Sequence, residues 1–458
     1  MSRPSAPRFG LVSLGCPKNT VDSEGLLGSM ALAGFRFVAD PLRADVCIVN
    51  TCGFLDEARR EAAEVLRELA AHQNRRGRPL LVAAGCLVER AGGAPELAAF
   101  LDQADARVGF ADYLRLPDIC RELLEGRRDP SRTARGFAGQ ALPRGYFSFL
   151  DRPRMRIGSA ASAYLKLGEG CSNNCSYCSI PLIRGTRASR PLKAVLNEAR
   201  QLVESGAREL NLIAQDTTAY GLDRAGRSQL PRLLRELYKL PGPLWFRLLY
   251  AHPRHLTAEI LDTLAADVRV CPYLDLPLQH ISDRMLKAMG RGYGRRRVER
   301  QLAGIRAALP DAALRTTFIV GHPGERESDF RELLEFVREG HFDHMGVFIW
   351  SPEPGTASEQ MKHRVAFRTA EERRDRLMRE QARVSSRRHR ARRGRAATVL
   401  LERLEADGWH GRTPWQAPEV DGDTRLENAG ARARSGDFVP AVITGTRAYD
   451  FRARRAEA

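Results

Sequence analysis

Apolar residues along this 458-residue chain follow three successive patterns. Over 7–126, short apolar runs alternate with helix-period stretches. Phe9–Leu14, Asp45–Asn50 and Leu80–Ala84 predict strands, and Asp56–His72 and Leu116–Glu125 predict amphipathic helices. Such alternation predicts an open parallel α/β sheet. Residues 127–156 carry Arg, Pro, Gly and Ser without a clear period and read as a linker draped over the next domain. From 157 to 387, six strand candidates appear: Ala163–Gly168, Glu209–Gln215, Trp245–Ala251, Pro272–Leu278, Arg315–Val320 and Met345–Trp350. Helical stretches at Leu192–Ser205, Ala258–Ala266, Arg295–Leu309 and Glu327–Glu339 separate most of them. Six such units predict a partial (β/α)6 barrel, open on one side. After a basic helix, Arg364–Arg395, the pattern shifts to short strands at Thr398–Leu401, Gly411–Gln416, Phe438–Thr444 and Asp450–Arg454. Turn dipeptides at Asp421-Gly422 and Ser435-Gly436 complete the signature of a small antiparallel β-barrel over 390–456.

No apolar run is long enough to cross a bilayer, and Met1–Phe9 lacks the hydrophobic core of a signal peptide, so a cytoplasmic protein without a membrane partner is expected. The formal net charge is +17, yet only 6 of the 73 basic residues are lysines. The charge therefore reads equally as a nucleic-acid footprint or as compositional bias toward arginine. Its distribution says more. Residues 362–395 carry 14 basic and 4 acidic side chains, whereas 396–458 carry 9 and 10. A near-neutral terminal barrel suits a protein partner better than an RNA backbone.

The nine cysteines form no evident disulfide framework. Cys171, Cys175 and Cys178 give the spacing C-x3-C-x2-C, just beyond a predicted barrel strand where barrel active sites sit. Three close thiolates can hold a four-iron cluster with one iron open, the condition for a catalytic rather than a structural centre. A zinc knuckle would need a fourth ligand, and no Cys or His follows before His252. With Tyr177 before the last cysteine, the motif resembles that of the radical S-adenosylmethionine (SAM) superfamily. The resemblance implies that SAM binds the open iron and is cleaved by one electron to a deoxyadenosyl radical.

Cys16, Cys52 and Cys86 each lie just past a predicted strand, beside Gly15, Gly53 and Gly85. Carboxyl ends of parallel strands converge on one crevice, so these three thiols either meet as a second ligand set or are unrelated core cysteines. Cys47, Cys120 and Cys271 read as structural.

Both trios and the terminal barrel together resemble the radical SAM methylthiotransferases over nearly the whole chain. Ser13-Leu14-Gly15-Cys16-Pro17-Lys18-Asn19, Gln215-Asp216-Thr217-Thr218-Ala219-Tyr220-Gly221 and Trp415-Gln416-Ala417-Pro418-Glu419-Val420-Asp421-Gly422 are similar to the branch that modifies an aspartate of ribosomal protein S-twelve. A tRNA-modifying branch, which acts on adenosine, is the alternative; an iron–sulfur scaffold without activity is a third reading. The resemblance implies two 4Fe-4S clusters, an auxiliary one on Cys16, Cys52 and Cys86 and the radical one on Cys171, Cys175 and Cys178. It implies a TRAM domain at the C-terminus. The partners expected are S-twelve or the small ribosomal subunit, an electron donor such as flavodoxin, and a sulfur carrier. Gln215, Arg184 and Arg187 are candidate SAM contacts at the strand tips. His322 stands where the family usually has phenylalanine and reads as a turn residue without a catalytic role.

Overall fold

The computed structural model describes residues 6–76, 79–127, 142 and 144–456. In the first unit, five parallel strands stand in the order Arg36–Phe37, Arg8–Ser13, Val46–Thr51, Leu80–Gly85, Ala106–Val108. Alternate residues of the central strands face opposite layers. Val46, Ile48, Val82 and Ala84 pack with Val21 and Leu26 of helix Pro17–Leu32. Cys47, Val49, Leu81 and Ala83 pack with Ala62 and Leu66 of helix Asp56–Arg76. Burial on both faces explains why these strands read as continuous apolar runs. The sheet and helices expected from the sequence are present. The edge strands Arg36–Phe37 and Ala106–Val108 and the helices Pro17–Leu32 and Cys86–Gly93 are additional.

Within the stretch read as a linker, residues 128–141 and 143 lie outside the described residues. The rest is not simply draped. Helix Arg144–Leu150 buries Tyr146 and Phe149 completely between the first unit and the barrel. Phe149 stacks edge-on against Tyr113 at 5.0 Å. Gly25 of helix Pro17–Leu32 makes this docking possible, since a Cβ there would stand 2.6 Å from Phe149 Cζ.

The second unit has six parallel strands in sequential order: Ser162–Lys166, Glu209–Ile213, Trp245–Leu248, Val270–Asp275, Ala313–Val320 and His344–Ile349. The first and last do not pair, so the barrel is open. Helix Phe367–Arg390, the basic helix, buries Ala370, Leu377 and Val384 at this outer edge. Part of its charge is internal, with Arg373 on Glu325 (2.7 Å) and Arg388 on Asp343 (3.1 Å).

The terminal barrel closes through five strands: Ala396–Glu405, Gly408–Arg412, Thr424–Glu427, Phe438–Thr446 and Phe451–Arg455. The expected barrel is there, but it is not wholly antiparallel, because Thr424–Glu427 runs parallel to Phe451–Arg455. Its loop 413–421 inserts against the partial barrel. Asp421 accepts from Arg315 (2.9 Å) and from the Tyr273 hydroxyl (2.7 Å). Cys47, Cys120 and Cys271 are buried in strands or helices, and burial pushes their thiols up to about 12.

A second tie is Glu209, which accepts from Arg247 (2.8 Å) and, across the domain boundary, from Arg412 (3.2 Å). Burial alone would raise its carboxyl; Arg412 and Arg247 more than reverse this and lower it from 4.5 to about 2. The folded state therefore binds this proton more weakly than the unfolded chain. The stabilisation is complete above the unfolded value and is lost as pH falls toward the folded one. Resistance of the terminal barrel to urea is expected to fall as pH drops from about 4.5 to about 2. Glu209→Gln is expected to flatten that part of the profile relative to the native protein.

Candidate metal and radical centre

Both cysteine trios line one cavity of about 410 Å³. A larger cleft of about 720 Å³, lined by Asp151, Arg154, Lys193 and Gln201, contains none of the nine cysteines and offers no comparable chemistry.

The first trio comes from three strand-to-helix corners of the first sheet. Cys16 caps helix Pro17–Leu32, Cys52 follows strand Val46–Thr51, and Cys86 opens helix Cys86–Gly93. Gly15, at φ +94°, brings the first two corners together; a Cβ there would stand 2.8 Å from Cys52 Cβ and 3.2 Å from its Sγ. Only glycine accepts both that backbone and that approach. Asn19 reinforces the corner by donating to the carbonyls of Leu14 (3.0 Å) and Thr51 (2.9 Å).

The second trio sits on the loop after the first barrel strand. Cys171 N–H donates to Gly185 O (3.0 Å) and Ser176 N–H to Met289 O (3.0 Å). Asn173 donates to Asp216 (2.8 Å), which also holds His255 Nδ1 (2.7 Å). Burial would raise the Asp216 carboxyl, but its bond from His255, the nearby His252 and Asn173 lower it to about 2. Arg291 donates to Cys175 Sγ and to the Tyr177 hydroxyl, both at 3.1 Å. His322 is more than a turn residue. It is wholly buried, with Nε2 3.2 Å from Ser176 Oγ and its ring edge-on to Trp350. Burial lowers it to about 4, so it packs beneath the loop as a neutral imidazole.

Of the three residues marked as SAM candidates, two line the cavity. Gln215 donates its amide to Glu169 (2.7 Å), and its carbonyl oxygen is buried without a partner. Arg184 lines the cavity too, but its guanidinium is committed to Glu169 (2.6 Å), Asn19 (2.6 Å), Asp22 (3.0 Å) and Cys86 Sγ (3.2 Å). Arg187 lies outside the cavity lining and turns to Asp216 (3.5 Å). Both arginines are engaged by carboxylates of the scaffold.

Arg184 belongs to a network that the sequence did not reveal. Lys166 pairs with Asp22 and Glu169, both at 2.6 Å, and the Tyr146 hydroxyl stands between the two carboxylates, 2.6 Å from Asp22 and 2.9 Å from Glu169, with one proton to donate. All five side chains are buried. Burial pushes the Glu169 carboxyl up, and the adjacent Arg184 and Lys166 outweigh it, so the carboxyl is held below the usual range. Arg59 and Arg90 of the first unit meet Glu353 of the barrel at 2.7 and 3.2 Å, a second such tie.

Sequence comparison gives this geometry a family. Residues 8–109 match Uncharacterized protein family UPF0004, 165–337 the Radical SAM superfamily and 394–455 the TRAM domain. The "Ribosomal protein uS12 methylthiotransferase RimO" of Geobacter sulfurreducens is 42% identical over 448 residues, covering 97% of each chain. That of Trichlorobacter lovleyi is 40% identical across 100% of both. The chain belongs to the RimO methylthiotransferase family. It is therefore a radical SAM enzyme that uses SAM and a 4Fe-4S cluster. Solved structures share the fold at lower identity. The radical SAM methyltransferase TsrM from Kitasatospora setae aligns with TM-score 0.57 at 17% identity, covering 77% of this chain and 75% of that one. The cobalamin-dependent enzyme OxsB aligns with TM-score 0.53 at 12% identity, covering 82% and 56%. Among the described residues, no helix is long and apolar enough to cross a membrane.

Removing one carboxylate from the five-residue network leaves buried cations short of a partner. Asp22→Ala is expected to destabilise the protein by about 3–5 kcal/mol. Chemical denaturation of the two proteins side by side measures this, and a loss under about 1 kcal/mol would show that the network carries little stability.

Proposed function

We propose that this protein methylthiolates the β-carbon of an aspartate in ribosomal protein uS12, with two 4Fe-4S clusters facing one cavity. The observation that carries the two-cluster reading is the shared lining: Cys16, Cys52 and Cys86 line the same cavity of about 410 Å³ as Cys171, Cys175 and Cys178. Each trio fits the chemistry of a four-iron cluster with one open iron, because no fourth Cys lines the cavity on either side.

When bound, the radical cluster with SAM supplies a hydrogen-abstracting carbon radical, and the auxiliary cluster supplies the sulfur that replaces the hydrogen. The chain's own residues do the rest. Gln215, with its unpartnered carbonyl oxygen, is positioned to accept from SAM. Arg291 donates to Cys175 Sγ and holds the loop against Pro277 O (2.7 Å). Arg184 donates to Cys86 Sγ (3.2 Å). The apolar wall of Phe54, Ile180, Ile183 and Phe348 limits water around a radical.

The uS12 substrate is supported by the full-length relatives, each named as acting on that protein, and by the near-neutral terminal domain. Adenosine in tRNA is not favoured by either. The same reading places the enzyme in the cytoplasm, supplied by an electron donor such as flavodoxin and by a sulfur carrier. It divides the chain into 7–126 (auxiliary cluster), 157–387 (radical core) and 390–456 (TRAM), joined by 127–156.

Two measurements test the proposal. Intact-mass spectrometry of uS12 from cells lacking this gene is expected to show loss of the methylthio group; an unchanged mass would refute the substrate. Iron quantitation after anaerobic reconstitution is expected to fall to about half in a Cys16/Cys52/Cys86 triple-alanine variant. Full iron retention in that variant would refute the second cluster.

A further inference from the structure

We propose that Lys18 selects the substrate by pairing its ammonium with the carboxylate of the aspartate to be modified. This rests on the function proposed above and deepens it.

Lys18 lies two residues beyond Cys16, in the first turn of helix Pro17–Leu32. It lines the cavity that holds both trios, yet its side chain is only 7% exposed. Among the described residues it makes no hydrogen bond and no ion pair. Its Nζ sits over the face of Tyr250, 2.7 Å from the ring centroid. Tyr250 is held there at φ +60°, a conformation that costs a bulky aromatic residue, with its N–H fixed by Asp275 Oδ2 (3.1 Å). Backbone strain of this kind marks a side chain held for a purpose.

The two arginine cations of the cavity are already engaged. Arg184 is held by Glu169 and Asp22. Arg291 donates to Cys175, Tyr177, Tyr293 and the Pro277 carbonyl. Among the described residues, no Asp or Glu lines the cavity. An anion that enters meets one cation without an ion-pair partner among the described residues, on which Asp275 and Glu169 act only from outside the lining.

Position makes the match specific. The carbon to be modified is bonded directly to the carboxylate carbon. An anchor two residues from Cys16 therefore holds that carbon on the side from which sulfur arrives. A nucleobase, having no carboxylate, gains nothing from this contact. The methionine carboxylate of SAM shares the recognised chemistry, and the test separates the two sources.

The probes are labelled peptides spanning the target site of uS12, carrying either Asp or Asn at the modified position. Their dissociation constants are measured by fluorescence anisotropy, with saturating SAM, on anaerobically reconstituted wild type, Lys18→Met and Lys18→Gln. SAM affinity is titrated separately without peptide, and iron content verifies loading. Wild type is expected to prefer the Asp peptide by about tenfold or more. Both variants are expected to bind the two peptides alike. Preference retained in either iron-loaded variant overturns the assignment. So does a wild type that binds the two peptides equally, a result that does not depend on any variant folding. A loss of SAM affinity as large as the loss for the Asp peptide overturns it in favour of the SAM carboxylate. If wild type modifies the Asp peptide while the variants keep the preference, only the role of Lys18 falls. If wild type modifies no peptide, the proposed function falls with it.

Discussion

Everything at the centre depends on a buried charge cluster that spans two domains. Asp22 comes from the first unit, Lys166, Glu169 and Arg184 from the barrel, and Tyr146 from the helix between them. Taking these groups out of water is costly, and a well-packed apolar contact of the same size would serve stability at least as well. What an apolar contact lacks is direction. Charges paired at 2.6–3.0 Å permit one relative placement of the domains and penalise slippage. Two sets of thiols carried by separate domains require that single placement.

The corners were readable from the chain, and the clamp was not. A cysteine with an adjacent glycine follows a strand three times at one sheet edge, so the meeting of Cys16, Cys52 and Cys86 is one of the two readings that spacing allows. Helix Pro17–Leu32 was invisible because it is buried on nearly every side: Asp22, Ser23 and Glu24 face protein, which erases the amphipathic period. The edge strands Arg36–Phe37 and Ala106–Val108 are too short to carry a pattern. The partners of Asp22 are 124, 144 and 162 positions away, separations no local rule bridges. The carboxylate partners of Arg184 and Arg187 are equally out of reach, since free and engaged arginines look identical in sequence.

The terminal barrel meets the radical core through recognisable sequence. Within Trp415–Gly422, Asp421 takes the Arg315 guanidinium and the Tyr273 hydroxyl, and the Trp415 carbonyl faces His344 Nε2 at 3.3 Å. The motif that set this branch apart by resemblance is thus partly a docking element. From Asp421 the contacts run through Arg315 to Asp275 (3.9 Å) and on to the Tyr250 backbone. The third domain therefore helps form the floor beneath the cavity.

The scarcity of lysine gives that cavity a chemical distinction. Basic positions in this chain are arginine almost everywhere, yet two of its six lysines, Lys18 and Lys166, are buried at the centre. A guanidinium is a broad plate with a fixed fork of donors, whereas an ammonium is a compact tip that can approach an aromatic face end-on. At position 18 that tip lies 2.7 Å from the centroid of the Tyr250 ring. The cavity thus combines two guanidinium plates, Arg184 and Arg291, already held by their partners, with one compact tip, and an arginine at position 18 would replace that tip with a third plate.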